Sequence, residues 1–150
     1  MTTFPVILRG AVAHGDKRGR VLGFPTANLN SPLPGLEYGV YASETRIEGE
    51  EKIWPSVTSY GTRPTFEGAD QRIETHILDF QGDLYDREIE VRLLVFIRPE
   101  LRFSSAEELV ATMHEDVEQV RAMARRARTE ISKVRASWCW PASALRWPMR

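Results

Sequence analysis

Cysteine is all but absent from this sequence. Cys139 stands alone among 150 residues, so no disulfide can close within the chain and no cysteine-based metal cluster can form. A basic excess is missing as well. Twenty Lys and Arg stand against 21 Asp and Glu, a net charge of −1, which argues against a protein built around a polyanion such as nucleic acid. No apolar run approaches the roughly 20 residues that a bilayer-spanning helix needs. The start, MTTFPVILRG, lacks a basic segment followed by an apolar one and a small-residue cleavage site. The resulting expectations are a cytoplasmic location, no membrane partner and no nucleic-acid partner. Generic phosphate motifs are lacking too. Residues 10–17, GAVAHGDK, approach a P-loop without its Gly-Lys-Ser/Thr ending, and neither the dinucleotide-binding glycine fingerprint nor the protein-kinase signatures occur.

What is present suits one globular domain. Hydrophobic residues make up 42% and charged residues 27%, ordinary values for a chain with a single core. Charge is unevenly spread: residues 1–120 carry 12 basic and 20 acidic side chains, residues 121–150 carry 8 basic and 1 acidic. Most of the acidic part has the pattern of strands. Pro5 to His14 ends at a Gly15-Asp16 turn signal, and Tyr38 to Ile47 and Ile53 to Tyr60 are rich in β-branched and aromatic residues around Gly49. Arg72 to Phe80 is closed by Gln81-Gly82-Asp83. In Glu88 to Arg98, Ile89, Val91, Leu93, Val95 and Ile97 alternate strictly, which predicts a strand with one apolar face.

The period then changes. Ser104-Ser105-Ala106-Glu107 fits a helix capping box, and Leu109, Met113, Val117, Val120 and Ala124 form one stripe of an amphipathic helix. Arg121, Arg125, Arg126 and Arg128 suit its C-terminal end. Short strands followed by one helix predict an antiparallel barrel or sandwich with a helix packed on it. From Thr129 onward the chain is read as a separate basic tail, with Trp138, Trp140 and Trp147 among prolines, leaving residues 1–128 as the domain.

Two segments carry candidate chemistry. In Gly23-Phe24-Pro25-Thr26-Ala27-Asn28, Pro25 holds Phe24 extended. If the chain stays extended, Thr26 and Asn28 share a side and present two oxygens, as a hard cation that keeps most of its waters could use. Upstream, Gly15, Gly19 and Gly23 with Arg18 and Arg20 make a basic loop suited to polyphosphate. The alternative is a turn in which Asn28 bonds its own backbone. In Ile73-Glu74-Thr75-His76-Ile77, an acid within an apolar-flanked strand is a candidate general base; the alternative is a surface Glu paired with an Arg. His76, on the same face, suits a hydrogen-bonded structural role. Arg98, Arg102 and Phe103 could hold a planar ligand, or serve as a surface cation pair and a core ring.

In combination these segments resemble the riboflavin kinase (flavokinase) family. The stretches that carry the resemblance are Arg9-Gly10-x-Val12, Gly19-Arg20-x-Leu-Gly-Phe-Pro-Thr-Ala-Asn-Leu29, Gly39-Val40-Tyr41-Ala42, Gly61-Thr62-Arg63-Pro64-Thr65-Phe66, Ile73-Glu74-Thr75-His76-Ile77-Leu78, Asp83-Leu84-Tyr85, Ile97-Arg98-Pro99-Glu100 and Phe103-Ser104-Ser105, within residues 7–127. The resemblance implies a six-stranded antiparallel Greek-key β-barrel with a long C-terminal helix packed on it. It implies an ATP:riboflavin phosphotransferase, monomeric, using Mg²⁺ or another divalent cation. Thr26 and Asn28 would bind the metal with the ATP phosphates, beneath a flap carrying Gly15 and Arg20. Glu74 would take the proton of the ribityl 5′-hydroxyl. Ile77, Asp79 and Tyr85 would border the nucleotide, and Arg98 and Phe103 would contact the flavin. A barrel that binds flavin or nucleotide without chemistry is the competing expectation. The chain departs from the family pattern at Asp86, where glycine is usual, and at Ser59-Tyr60, where Asn-Ile is usual. Bacterial relatives often carry an adenylyltransferase domain ahead of this one; none is expected within these 150 residues, so FMN and not FAD is the expected product.

Overall fold

Alternating apolar residues become six strands: β1 (Val6–Ala13), β2 (Ala27–Asn30), β3 (Gly39–Ile47), β4 (Ile53–Thr65), β5 (Gly68–Ile77) and β6 (Glu88–Pro99). A helix, α1 (Ala106–Ser137), follows. The structure is a computed structural model describing residues 4–14, 23–31, 35–66 and 68–137. The strands close into a barrel in the order β1-β2-β5-β4-β3-β6, with every pairing antiparallel. Within it β3, β4 and β5 are joined as hairpins, and β6 returns beside β3, which is a Greek key. Closure leaves no free edge.

Two cores follow from the strand period. Inward residues, among them Leu8, Val12, Leu29, Tyr41, Ile47, Tyr60, Ile73, Val91 and Leu93, fill the barrel. Outside it, Ala42 and Leu78 meet Phe24 and the helical Val117 and Val120, with Val57, Ile97, Met113 and Met123 around them. This second core is why the first five residues of β3 are all buried: one face fills the barrel and the other lies under α1. The apolar stripe expected on the helix supplies this contact.

The barrel interior is not wholly apolar. The Ser43 hydroxyl lies 2.8 Å from that of Ser56 and 2.7 Å from that of Thr58; Thr45 and Ser56 are 2.8 Å apart, and Thr58 and Thr75 are 3.0 Å apart. Each hydroxyl can donate once and accept, so the row satisfies its own members where water does not reach.

Several boundaries differ from the sequence reading. β4 and β5 extend toward each other past Tyr60 and Arg72, and β5 stops at Ile77, because Leu78 and Asp79 turn and Asp79 adopts a positive φ of 61°. β2 is a short strand of four residues. The helix cap lies one residue later than expected. Ser105 Oγ accepts from the Glu108 N–H at 3.2 Å, while Glu108 accepts from both the N–H and the hydroxyl of Ser104, at 3.0 and 2.7 Å. These bonds hold the Glu108 carboxyl below its ordinary pKa. With the helix starting at Ala106, Glu107 falls too early to close the box. The helix runs to Ser137, and no proline or glycine interrupts residues 106–137. Among the described residues no helix is long and apolar enough to cross a membrane.

Candidate active site

Register sets the site. Asn28 of β2 stands opposite Glu74 of β5, Glu74 opposite Ser59 of β4, Ser59 opposite Val40 of β3, and Val40 opposite Arg98 of β6. These five residues form one transverse row on the outer face of the barrel, and all five line a cleft of about 420 Å³. Directly across a pair of strands, Cβ atoms stand about 4.5–5.5 Å apart. The strand period sends Ala27, Leu29, Ile73 and Thr75 inward and leaves Thr26, Asn28, Arg72, Glu74 and His76 for the cleft. The opposite wall is Leu109, Met113, Asp116 and Val117 of α1 together with Leu101 and Phe103.

Glu74 is half-buried, and among the described residues its carboxylate has no hydrogen-bond or ion-pair partner. Two of its neighbours are tied down. His76 Nδ1 donates to the Pro25 carbonyl at 2.8 Å, anchoring the chain one residue before Thr26. Because a carbonyl can only accept, that nitrogen carries the proton. Phe24 packs edge-on between His76 and His114, at centroid distances of 5.4 and 4.8 Å.

At the other end of the row, Arg98 Nε and Nη2 donate to the Asp116 carboxylate at 2.8–3.2 Å, and Arg98 Cζ lies 5.9 Å from the centre of the Phe103 ring. Sequence reasoning misses Asp116. The available signal is an acid at position 116, three residues after Met113 and four before Val120, on the helix's apolar stripe. Glu100 is a second residue that sequence reasoning does not single out. Its side chain crosses Gly61 so closely that a Cβ there would overlap its Oε1, and it accepts from the Thr62 N–H at 3.3 Å. A side chain at 61 would push the Glu100 carboxylate away from this position.

A second cleft of about 80 Å³ lies on the other side of Thr26 and is lined by Ile77, Tyr85, Thr75, Phe80 and Asp83 among others. Thr26 borders both clefts. The Tyr85 ring stacks on His14 at 4.0 Å, and its N–H donates to Asp83 Oδ1 at 2.9 Å. Asp79 differs from its expected companions. It lines neither cleft, and its carboxylate accepts two hydrogen bonds from Arg121 of α1, at 2.7 and 2.8 Å. The pair lowers the pKa of Asp79 and raises that of Arg121. Gly15 and Arg20 lie outside the described residues. The structure thus gathers Thr26, Asn28, Glu74, Arg98 and Phe103 in one cleft and Thr26, Ile77 and Tyr85 in the next.

A family model described as riboflavin kinase matches residues 2–124. The chain belongs to the riboflavin kinase family. Among curated relatives it is 42% identical over 123 residues to a bifunctional riboflavin kinase/FMN adenylyltransferase of Listeria monocytogenes, covering 79% of this chain and 38% of that protein. It is 45% identical over 117 residues to the protein so named in Escherichia coli K12, covering 75% and 36%. The chain therefore spans less than two-fifths of the length of these relatives. A riboflavin kinase from Trypanosoma brucei superimposes with a TM-score of 0.63 at 26% identity, covering 84% of this chain and 81% of that one. A Streptococcus pneumoniae structure described as a macrolide-efflux protein gives a TM-score of 0.70 at 35% identity, covering 78% and 38%. The family's usual glycine after the tyrosine now has a physical reason, since Asp86 adopts a positive φ of 65°. Of the other departures, Tyr60 packs inside the barrel and Ser59 faces the cleft.

Proposed function

We propose that this domain is a riboflavin kinase, transferring the γ-phosphoryl group of ATP to the ribityl 5′-hydroxyl of riboflavin. The observation that carries the reading is the transverse row, in which Glu74 stands between Asn28 on one side and the Arg98–Phe103 end of the cleft on the other. Riboflavin would lie with its ring toward Arg98 and Phe103 and its ribityl chain toward Glu74. ATP would approach from the smaller cleft past Ile77 and Tyr85, so that the γ-phosphate meets the hydroxyl near Thr26, the residue common to both clefts.

In the transfer, the ribityl oxygen forms a bond to the γ-phosphorus while the bond from phosphorus to the β,γ-bridging oxygen breaks. ADP leaves with that electron pair, and the hydroxyl proton passes to the Glu74 carboxylate. A primary alcohol is a weak nucleophile near neutral pH, so a carboxylate with no other partner among the described residues is well suited to accept the proton. The remainder of the catalysis is positioning and charge stabilisation. Thr26 and Asn28 supply neutral oxygen donors, and among the described residues no group of three acidic or His side chains could form a metal cage. Such a donor set fits Mg²⁺ held largely by substrate phosphates and its own waters. Bound there, Mg²⁺ would neutralise charge on the phosphate oxygens. The reading includes a monomer acting in the cytoplasm; the closed barrel offers a second copy no free strand edge to extend.

Incubation with riboflavin, ATP and Mg²⁺, followed by chromatography, is expected to yield FMN and ADP in equal amounts. Riboflavin binding without FMN would establish a binding barrel instead. ADP without FMN would establish a different acceptor.

A further inference from the structure

The part of the cleft opposite Glu74 ends in an ion pair whose carboxylate is almost wholly buried. Asp116 is 4% exposed and Arg98 18% exposed. The carboxylate takes the guanidinium edge-on: Nε donates at 3.0 and 3.2 Å and Nη2 at 2.8 Å, while Nη1 donates to the Pro99 carbonyl at 3.3 Å. A guanidinium has five N–H groups. These contacts occupy three and leave one on each terminal nitrogen without a partner among the described residues. Both residues line the cleft, and the Phe103 ring lies beside the guanidinium.

Stability alone does not account for a carboxylate at this position. Burying an ion pair removes two charges from water, and apolar replacements of similar volume are often as stable or more so. The rest of the helix face makes the contrast plain, because Met113, Val117 and Val120 attach α1 through apolar contact. Docking by charge is already supplied at the exposed surface by Arg121 and Asp79. What Asp116 adds is orientation. An arginine on a strand has four rotatable side-chain bonds, and without a fixed counter-ion its head group would turn toward water. Gripped along one edge, it presents the remaining N–H groups in one direction. The carboxylate also cancels its charge, so that an uncharged ring can enter without meeting an unpaired cation.

We propose that Asp116 is a positioning residue that acts through Arg98, holding the guanidinium so that its two remaining N–H groups meet adjacent acceptors on the edge of a planar, uncharged heterocycle lying against Phe103. This rests on the kinase reading only in taking riboflavin as that heterocycle.

The test uses the full chain, with steady-state kinetics for each substrate and a riboflavin fluorescence titration. Asp116→Asn keeps the shape but sets an amide against the guanidinium. It is expected to raise the KM and Kd for riboflavin by about tenfold or more, the scale of one charge-assisted hydrogen bond. The KM for MgATP should stay within about twofold, and Asp116→Glu should recover part of the loss. In an Arg98→Lys background, Asp116→Asn should add little, because the fork it orients is gone. Riboflavin affinity within twofold of wild type in Asp116→Asn would overturn the inference. So would an equal fall in affinity for both substrates, or an undiminished effect in the Arg98→Lys background, since either would mark a general packing role. Absence of FMN from the wild type would sink the kinase reading, and the riboflavin titration of the same variants would still decide the role of Asp116.

Discussion

Asn28 and Glu74 are direct partners across the β2–β5 ladder, 46 positions apart in the chain and adjacent on one face of the barrel. An amide oxygen suited to a hydrated cation and a carboxylate with no other described partner are thereby fixed side by side, on strands whose inner faces are packed in the core. The barrel, and not a flexible loop, sets the distance between them.

Glu74→Gln tests the chemical half of that pair. The amide keeps size and most hydrogen bonding but cannot take the proton. Single-turnover FMN formation is expected to fall by about 10²–10⁴, roughly 3–5 kcal/mol of barrier, while riboflavin and MgATP titrations stay within a few fold. A fall below about tenfold would remove the base role. Collapse of binding together with turnover would make Glu74 a ligand-holding residue.

Thr26→Val and Asn28→Leu test the other half. Each removes an oxygen while keeping the branching of the side chain, and neither residue belongs to the buried core clusters. Nucleotide binding in the presence of Mg²⁺ should weaken, with little change in binding measured in EDTA. Unaltered metal dependence in both variants would take these residues out of the metal site.

Asp86→Gly should stabilise the fold. Asp86 has a φ of 65° and is exposed, so its side chain contributes little to set against the strain of a left-handed conformation. Glycine avoids that strain, worth about 1 kcal/mol, less the extra entropy it gives the unfolded chain. A rise in thermal midpoint of a few degrees is the expected result. An unchanged or lower midpoint would show that the Asp86 side chain contributes more than its strain costs.

Asp79→Asn should show a pH-dependent effect. Hydrogen bonds from Arg121 hold the Asp79 carboxyl below its ordinary pKa of 3.8 in the folded state. A depressed folded pKa means stability that is present above 3.8 and lost as pH falls through the folded value. Both partners are substantially exposed, so the pair contributes at most about 1 kcal/mol. The midpoints of wild type and variant should differ slightly at pH 7 and draw together as the pH is lowered past 3.8 and through the folded value. A constant difference across that range would assign the effect to something other than this ion pair.

Strand and helix identity, the apolar stripe of α1 and the Thr26–Asn28 and Glu74 segments were legible in the sequence, because period and turn chemistry are local. Val91 and Leu93 alternate with Glu90 and Arg92 wherever the strand ends up, and Leu109, Met113, Val117 and Val120 recur at helical spacing in any helix. Other features followed only from the tertiary structure. The order β1-β2-β5-β4-β3-β6, the row from Asn28 to Arg98, the union of Arg98 with Asp116 and the diversion of Asp79 to Arg121 all join distant parts of the chain. Local pattern says which face of a strand is apolar only while the ladder is regular. Past the irregularities in the β3–β6 pairing, Phe96 packs into the barrel, Val95 is exposed and Ile97 lies in the outer cluster, against the strict alternation expected for Glu88 to Arg98. Nor does it carry information on which strand lies beside another or in what register. Those are decided when the inward residues of six strands must fill one interior together, and only then do the outward residues acquire neighbours.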